Sequence, residues 1–126
     1  MAVATYWQER KIRLSAVEDR INEWVLNLYK IPGELEMWRK EEGIVTGQQR
    51  NSIMDIIDEN IKNAPEIVRL ADKNAPEITE MINDVGIAVA SMRDELLKRP
   101  VNRDKFIEIF HSISDAAEEI FRYKIT

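Results

Sequence analysis

Several groups of residues have the types and spacing that chemistry uses. Glu108 and His111 stand three apart, as Glu-Ile-Phe-His, so a helix brings both to one face. Such a pair is half of a carboxylate-bridged di-iron centre, which takes two Glu-x-x-His pairs and two further Glu. His111 is the only histidine of the chain, so one protomer cannot supply the second pair. Only a symmetric dimer could. Glu108, His111 and Asp115 also fall on a stripe beside the apolar seam of their helix, which reads as a histidine on a solvated rim.

Two acidic clusters recur at helical spacing: Asp55, Asp58 and Glu59, then Asp115, Glu118 and Glu119. Clustered carboxylates on bundle helices are what a Mg²⁺ ion prefers, because it takes oxygen ligands. Here they stand away from the Ile53/Ile57 and Ile113/Ala117 seams, as solvated helix faces do. The expectation is therefore no metal site and no cofactor, with Asp55, Asp58 and Glu59 as the alternative metal ligands. The chain has no cysteine, which excludes disulfides, thiolate metal sites and a thiol nucleophile. Gly43-Ile-Val-Thr-Gly47 lacks the Gly-Lys-Ser/Thr of a phosphate loop.

Near the N-terminus, Tyr6, Trp7, Arg10, Lys11, Arg13 and Arg20 interleave basic and aromatic side chains. That mixture can hold phosphates and stack on bases. Glu9, Glu18 and Asp19 dilute it, and a salt-bridged, solvated helix face is the favoured explanation. Arg10 stands on the apolar seam. Either its stem packs while its head reaches water, or the seam there faces a partner or an anion. Trp7, Trp24 and Trp38 are large apolar groups that serve as core anchors or as interface anchors. Leu35 and Trp38 lie in a less regular stretch where an exposed aromatic would mark a docking surface.

The elements that must position these groups are helices. Trp7, Leu14, Ile21 and Leu28 fall seven apart, and Val17, Trp24 and Ile31 form a second row with Arg10 as its exception. That spacing predicts a helix from about Val3 to Tyr29, ended by Pro32-Gly33. A short helix over 33–42 could bury Leu35 and Trp38. Thr46-Gly-Gln-Gln49 resembles a capping box, opening a helix with Ile53, Ile57 and Ile61 that runs to about Asn60 or Lys62. Then the hexapeptide Lys-Asn-Ala-Pro-Glu-Ile occurs twice, from Lys62 and from Lys73. Each copy reads as a helix start, with Asn as N-cap and Pro in the first turn. A Pro in a helix interior costs about 3 kcal/mol, so a chain break is expected, nearer Asn63, with Pro76 free to be a kink. A short helix follows Asn63. A long one follows Asn74 to about Lys98, with Ile78, Ile82, Val85, Val89, Met92 and Leu96 as its seam. The last follows Asn102, with Phe106, Phe110, Ile113, Ala117 and Ile120, to about Lys124.

The chain of 126 residues is expected to form one domain. Its 44% hydrophobic and 33% charged residues are the balance of a folded chain rather than a disordered one. Four Gly and four Pro leave few tight turns, which argues for long helices and against a sandwich or barrel. Together these predict an all-α fold: an antiparallel four-helix bundle with an extra short helix or kink around the repeat. A net charge of −5 disfavours non-specific binding of nucleic acid by the whole surface. No apolar run approaches the length of a membrane span, and the N-terminus lacks an apolar signal core. The expected compartment is the cytoplasm, or a virion for a coat subunit. The expected function is non-enzymatic: a self-assembling structural subunit, such as a viral or phage coat or accessory protein, or an adaptor. It would act through Trp7, Arg10, Trp24, Leu35 and Trp38, with a second copy or a helical protein as partner. One alternative is nucleic-acid binding through Tyr6, Arg10, Lys11, Arg13 and Arg20. Another is a Mg²⁺-dependent enzyme similar to the all-α nucleotide pyrophosphatases, using Asp55, Asp58 and Glu59.

Overall fold

Helices form here because apolar side chains return every three or four positions and can be buried as one stripe. In a computed structural model the described residues are 2–33, 47–98 and 101–123, with side chains from 7 and from 50 in the first two segments. The protein is all-α, with four α-helices and no strand among the described residues. Leu35, Trp38 and the Thr46 capping residue lie outside those residues, as does almost all of the expected short helix over 33–42. The side chain of Tyr6 does too.

Helix α1 spans Ala2–Leu26. It tightens into a 3₁₀ turn over Asn27–Lys30, and helical backbone resumes at 31–33. Pro32 and Gly33 thus belong to helical backbone instead of ending the first helix. Pro32 stands in a first turn, where its missing N–H breaks no helical bond. Helix α2 spans Gly47–Asn74, α3 spans Thr79–Leu97 and α4 spans Arg103–Arg122.

The break expected near Asn63 is absent, and α2 runs straight through Pro65. Asn63 is no N-cap. Its Nδ2 donates to the Glu59 carbonyl at 2.9 Å and to Glu59 Oε1 at 3.0 Å, one turn back in the same helix. The physical reason is register. Ile53, Ile57, Asn60, Ile67 and Ala71 are all buried, and only an unbroken helix keeps the last two on the face of the first three. Pro65 itself is exposed. Water can therefore solvate the Ile61 carbonyl that loses its usual donor.

The chain breaks at the second copy. Ala75 leaves the helical region with φ −152° and ψ 62°, outside the α region that a following proline disfavours. Pro76 then opens a 3₁₀ turn, Pro76–Ile78, before α3. Asn74 donates backwards to the Leu70 carbonyl at 3.0 Å, so it closes α2 and caps no helix start. Ala75 and Ile78 are buried, which seals the core beneath the break.

The seams of α3 and α4 are buried from end to end. Asn102 is the N-cap of α4, its side chain accepting from the Lys105 N–H at 3.1 Å. Helix α3 packs most extensively against α4 and α2, and α1 lies along α2 and touches α4. Trp24 meets Asn60 and Arg20 meets Glu66, so lower-numbered residues of α1 face higher-numbered residues of α2. The α1 seam is buried from Val17 to Ile31, but Leu14 is half-buried and Arg10 and Trp7 are exposed.

Candidate functional site

The residues expected to do chemistry are spread over separate surfaces. On α2, Asp58 faces α3, where its Oδ1 accepts from Arg93 Nε at 3.0 Å. Asp55 and Glu59 instead border a shallow depression with Asn27, Lys30 and Ile56. Glu59 also accepts the Asn63 amide. Asp55, Asp58 and Glu59 therefore do not converge, because one of them is turned to a cross-helix ion pair. Among the described residues no group of three His, Asp or Glu side chains could hold a metal ion. Glu108, His111 and Asp115 are exposed on α4. Glu118 and Glu119 both approach Arg122 one turn on, at 3.8 and 3.5 Å.

The α1 residues divide into two sets. Trp24 is 2% exposed, and its Nε1 donates to the Asn60 carbonyl at 3.0 Å while Asn60 Nδ2 donates to the Trp24 carbonyl at 3.3 Å. A side chain so enclosed is a core anchor, which corrects its assignment to an interface. Arg20 is likewise occupied, by Glu66 at 3.2 Å. It does not extend the basic cluster. Arg10, Lys11 and Arg13 are exposed, and the Arg10 guanidinium lies 5.7 Å from the centre of the Trp7 ring. Trp7 is 57% exposed, so Trp7, Arg10 and half-buried Leu14 carry the apolar seam out of the core.

The two repeat units present no doubled charge pattern. Glu66 reaches back to Arg20 on α1. Glu77 accepts from the Tyr123 hydroxyl, just past α4, at 2.6 Å. That hydrogen bond, with a lesser one from its own backbone, holds the Glu77 carboxyl below its ordinary value of 4.5. The same bond, with a little desolvation, raises the Tyr123 hydroxyl above 10.0. Each copy thus uses its Glu to tie down a different helix. Tyr29 makes a further tie, its ring edge-on to Phe110 with centres 6.0 Å apart and its hydroxyl 3.3 Å from Ser114 Oγ.

A feature that sequence reasoning missed lies between α2 and α3. An open groove of about 540 Å³ is lined by Asn60, Ile61, Ala64, Val68, Ile82, Asn83, Gly86, Ile87 and Ala90. Gly86 and the alanines give it depth, and a Cβ built on Gly86 would meet nothing within 4 Å. Ile61 is 37% exposed and Ile87 67% exposed. The signal was available: Ile87 falls between the seam positions Val85 and Val89, where a solvated helix face would place a polar residue. Large apolar groups that line a depression together mark interaction surfaces more often than one standing alone.

Compared with protein-family models, with curated proteins and with solved structures, the chain matches none. No helix among the described residues is long and apolar enough to cross a membrane.

Proposed function

We propose that the chain is an antiparallel four-helix bundle acting through protein contacts, as a self-assembling structural subunit or an adaptor. The pairings support the arrangement: residue numbers run oppositely along α1 and α2, and α3 joins α4 by a short connection. One observation carries the functional reading. The heptad seam of α1 enters the core only at Val17, while its earlier positions, Trp7 and Arg10, stand exposed. A seam is favourable because it is buried, so its exposed turns are suited to another helix. On this reading the protein is not an enzyme and works in the cytoplasm, or in a virion if it builds a coat. Light scattering over a dilution series tests it: the apparent mass should rise with concentration. A monomer mass at every concentration, together with no protein partner recovered in a pull-down, overturns it.

A second reading is nucleic-acid binding by the same end of α1, favoured by Arg10, Lys11 and Arg13 all being exposed beside Trp7. It predicts binding of single-stranded oligonucleotides that weakens steeply with salt and is lost in Arg10→Glu/Arg13→Glu. Absence of binding at low salt removes it.

A further inference from the structure

We infer that the first turns of α1 from one copy dock into the α2–α3 groove of a second copy. This rests on the reading of the protein as a self-assembling subunit and names the two surfaces that would meet.

The two surfaces match in three ways. The first is chemistry. The groove is mostly apolar, lined by buried Ile82, half-buried Ala64, Val68 and Gly86, and exposed Ile61 and Ile87, and the α1 seam offers an indole and a leucine, Trp7 and Leu14. The second is length. Trp7 to Leu14 is two helical turns, about 10 Å, and Ile61 to Val68 along the groove is the same number of residues. The third is charge. Between Trp7 and Leu14 three basic residues, Arg10, Lys11 and Arg13, accompany one acidic residue, Glu9. Near the groove in sequence, exposed Asp72, Glu80, Asp84 and Asp94 stand within four residues of lining positions, against exposed Lys62 and Arg69. Arg93 is already engaged by Asp58. A basic helix and an apolar groove with carboxylates near it attract, whereas two copies of the basic helix facing each other repel.

Trp7, Arg10 and Leu14 lie on α1, whereas the groove lies between α2 and α3. The contact is therefore between unlike surfaces. If two copies exchange their first turns reciprocally, a closed dimer results. If each copy serves the next, the assembly grows as a filament or ring.

The test uses three variants of the full chain. Trp7→Asp spoils the helix, Ile87→Glu spoils the groove wall, and Gly86→Leu fills the groove at a position with free space and with a better helix former than glycine. Circular dichroism should show all three as helical as the parent, and Gly86→Leu no less stable. Each variant alone should weaken assembly about thirtyfold or more, the scale of losing one interface anchor. An equimolar mixture of Trp7→Asp with Ile87→Glu should form a one-to-one pair that grows no further, because that mixture contains one intact helix and one intact groove. If the parent assembles and Gly86→Leu and Ile87→Glu assemble as well as it does, or the mixture stays monomeric, the inference fails and the broader assembly reading stands. A parent that is monomeric at every concentration removes both.

Discussion

At the scale of single residues, Trp24 and Asn60 form the most specific contact across α1 and α2. Each side chain donates to the other's backbone carbonyl inside the core. Trp24→Phe keeps much of the apolar bulk but leaves the Asn60 carbonyl without this donor. It should cost about 1–3 kcal/mol, and Trp24→Ala about 3–5 kcal/mol, in chemical denaturation. A Trp24→Phe variant as stable as the parent would mean that packing alone matters there. The Glu77–Tyr123 bond belongs to the same scale and makes stability depend on pH at both ends. Because folding lowers the Glu77 carboxyl, the unfolded chain binds that proton more readily. This contribution is complete above the ordinary carboxylate range and disappears as pH falls through the lowered value. Tyr123 is raised, so the tie is complete below the ordinary tyrosine value and is lost as pH climbs through the raised one. Tyr123→Phe should let the Glu77 titration, followed by NMR, move back upward. A titration that stays in place would show that the hydroxyl does not engage the carboxylate in solution.

At the scale of elements, two identical hexapeptides adopt different structures. The first lies inside α2 and the second ends it. Their local signals are the same, so the difference is tertiary: Ile67 and Ala71 must stay in phase with Ile53 and Ile57, whereas Ala75 and Ile78 are buried where the chain turns. The same substitution should therefore act differently in the two copies. Pro65→Ala restores the N–H that bonds the Ile61 carbonyl and should stabilise by about 1–3 kcal/mol. Pro76→Ala gains no such bond at the start of a 3₁₀ turn. It should be neutral or cost up to about 1 kcal/mol through a looser unfolded chain. Matching denaturation midpoints for the two variants would contradict this account. The same comparison explains what was legible in advance. The seams of α3 and α4, and Asn102 as N-cap, could be read because a complete apolar period and a local capping bond need no knowledge of the rest of the fold. The choice between Asn63 and Asn74 could not, because capping residues and proline were equal in both. The groove was hidden for a related reason: its depth comes from Ala64, Gly86 and Ala90, small residues whose meeting depends on the pairing of α2 with α3.

At the scale of the whole molecule, the long helices bury a continuous core yet leave Ile61, Ile87 and Trp7 in contact with solvent. Chain entropy and apolar burial nearly cancel in a domain of this size, so apolar area still exposed matters to net stability. If a second copy covers that area, folding and assembly are linked. Anything that binds the folded chain but not the unfolded one raises stability by mass action, in proportion to the logarithm of its concentration. The thermal midpoint of the parent protein should then climb as its concentration is raised, for instance from about 5 to about 500 μM, where a factor of one hundred corresponds to about 2.7 kcal/mol of binding free energy at most. Ile87→Glu should unfold at the same temperature at both concentrations, because its groove wall is charged and its core is untouched. High salt should flatten the concentration dependence of the parent if Arg10, Lys11 and Arg13 meet carboxylates near the groove across the proposed contact. A midpoint that shifts with concentration to the same extent in both proteins would place assembly on some other surface. No shift in either would mean that the exposed seam is tolerated by a monomer, whose stability then rests on the buried core from Val17 onward.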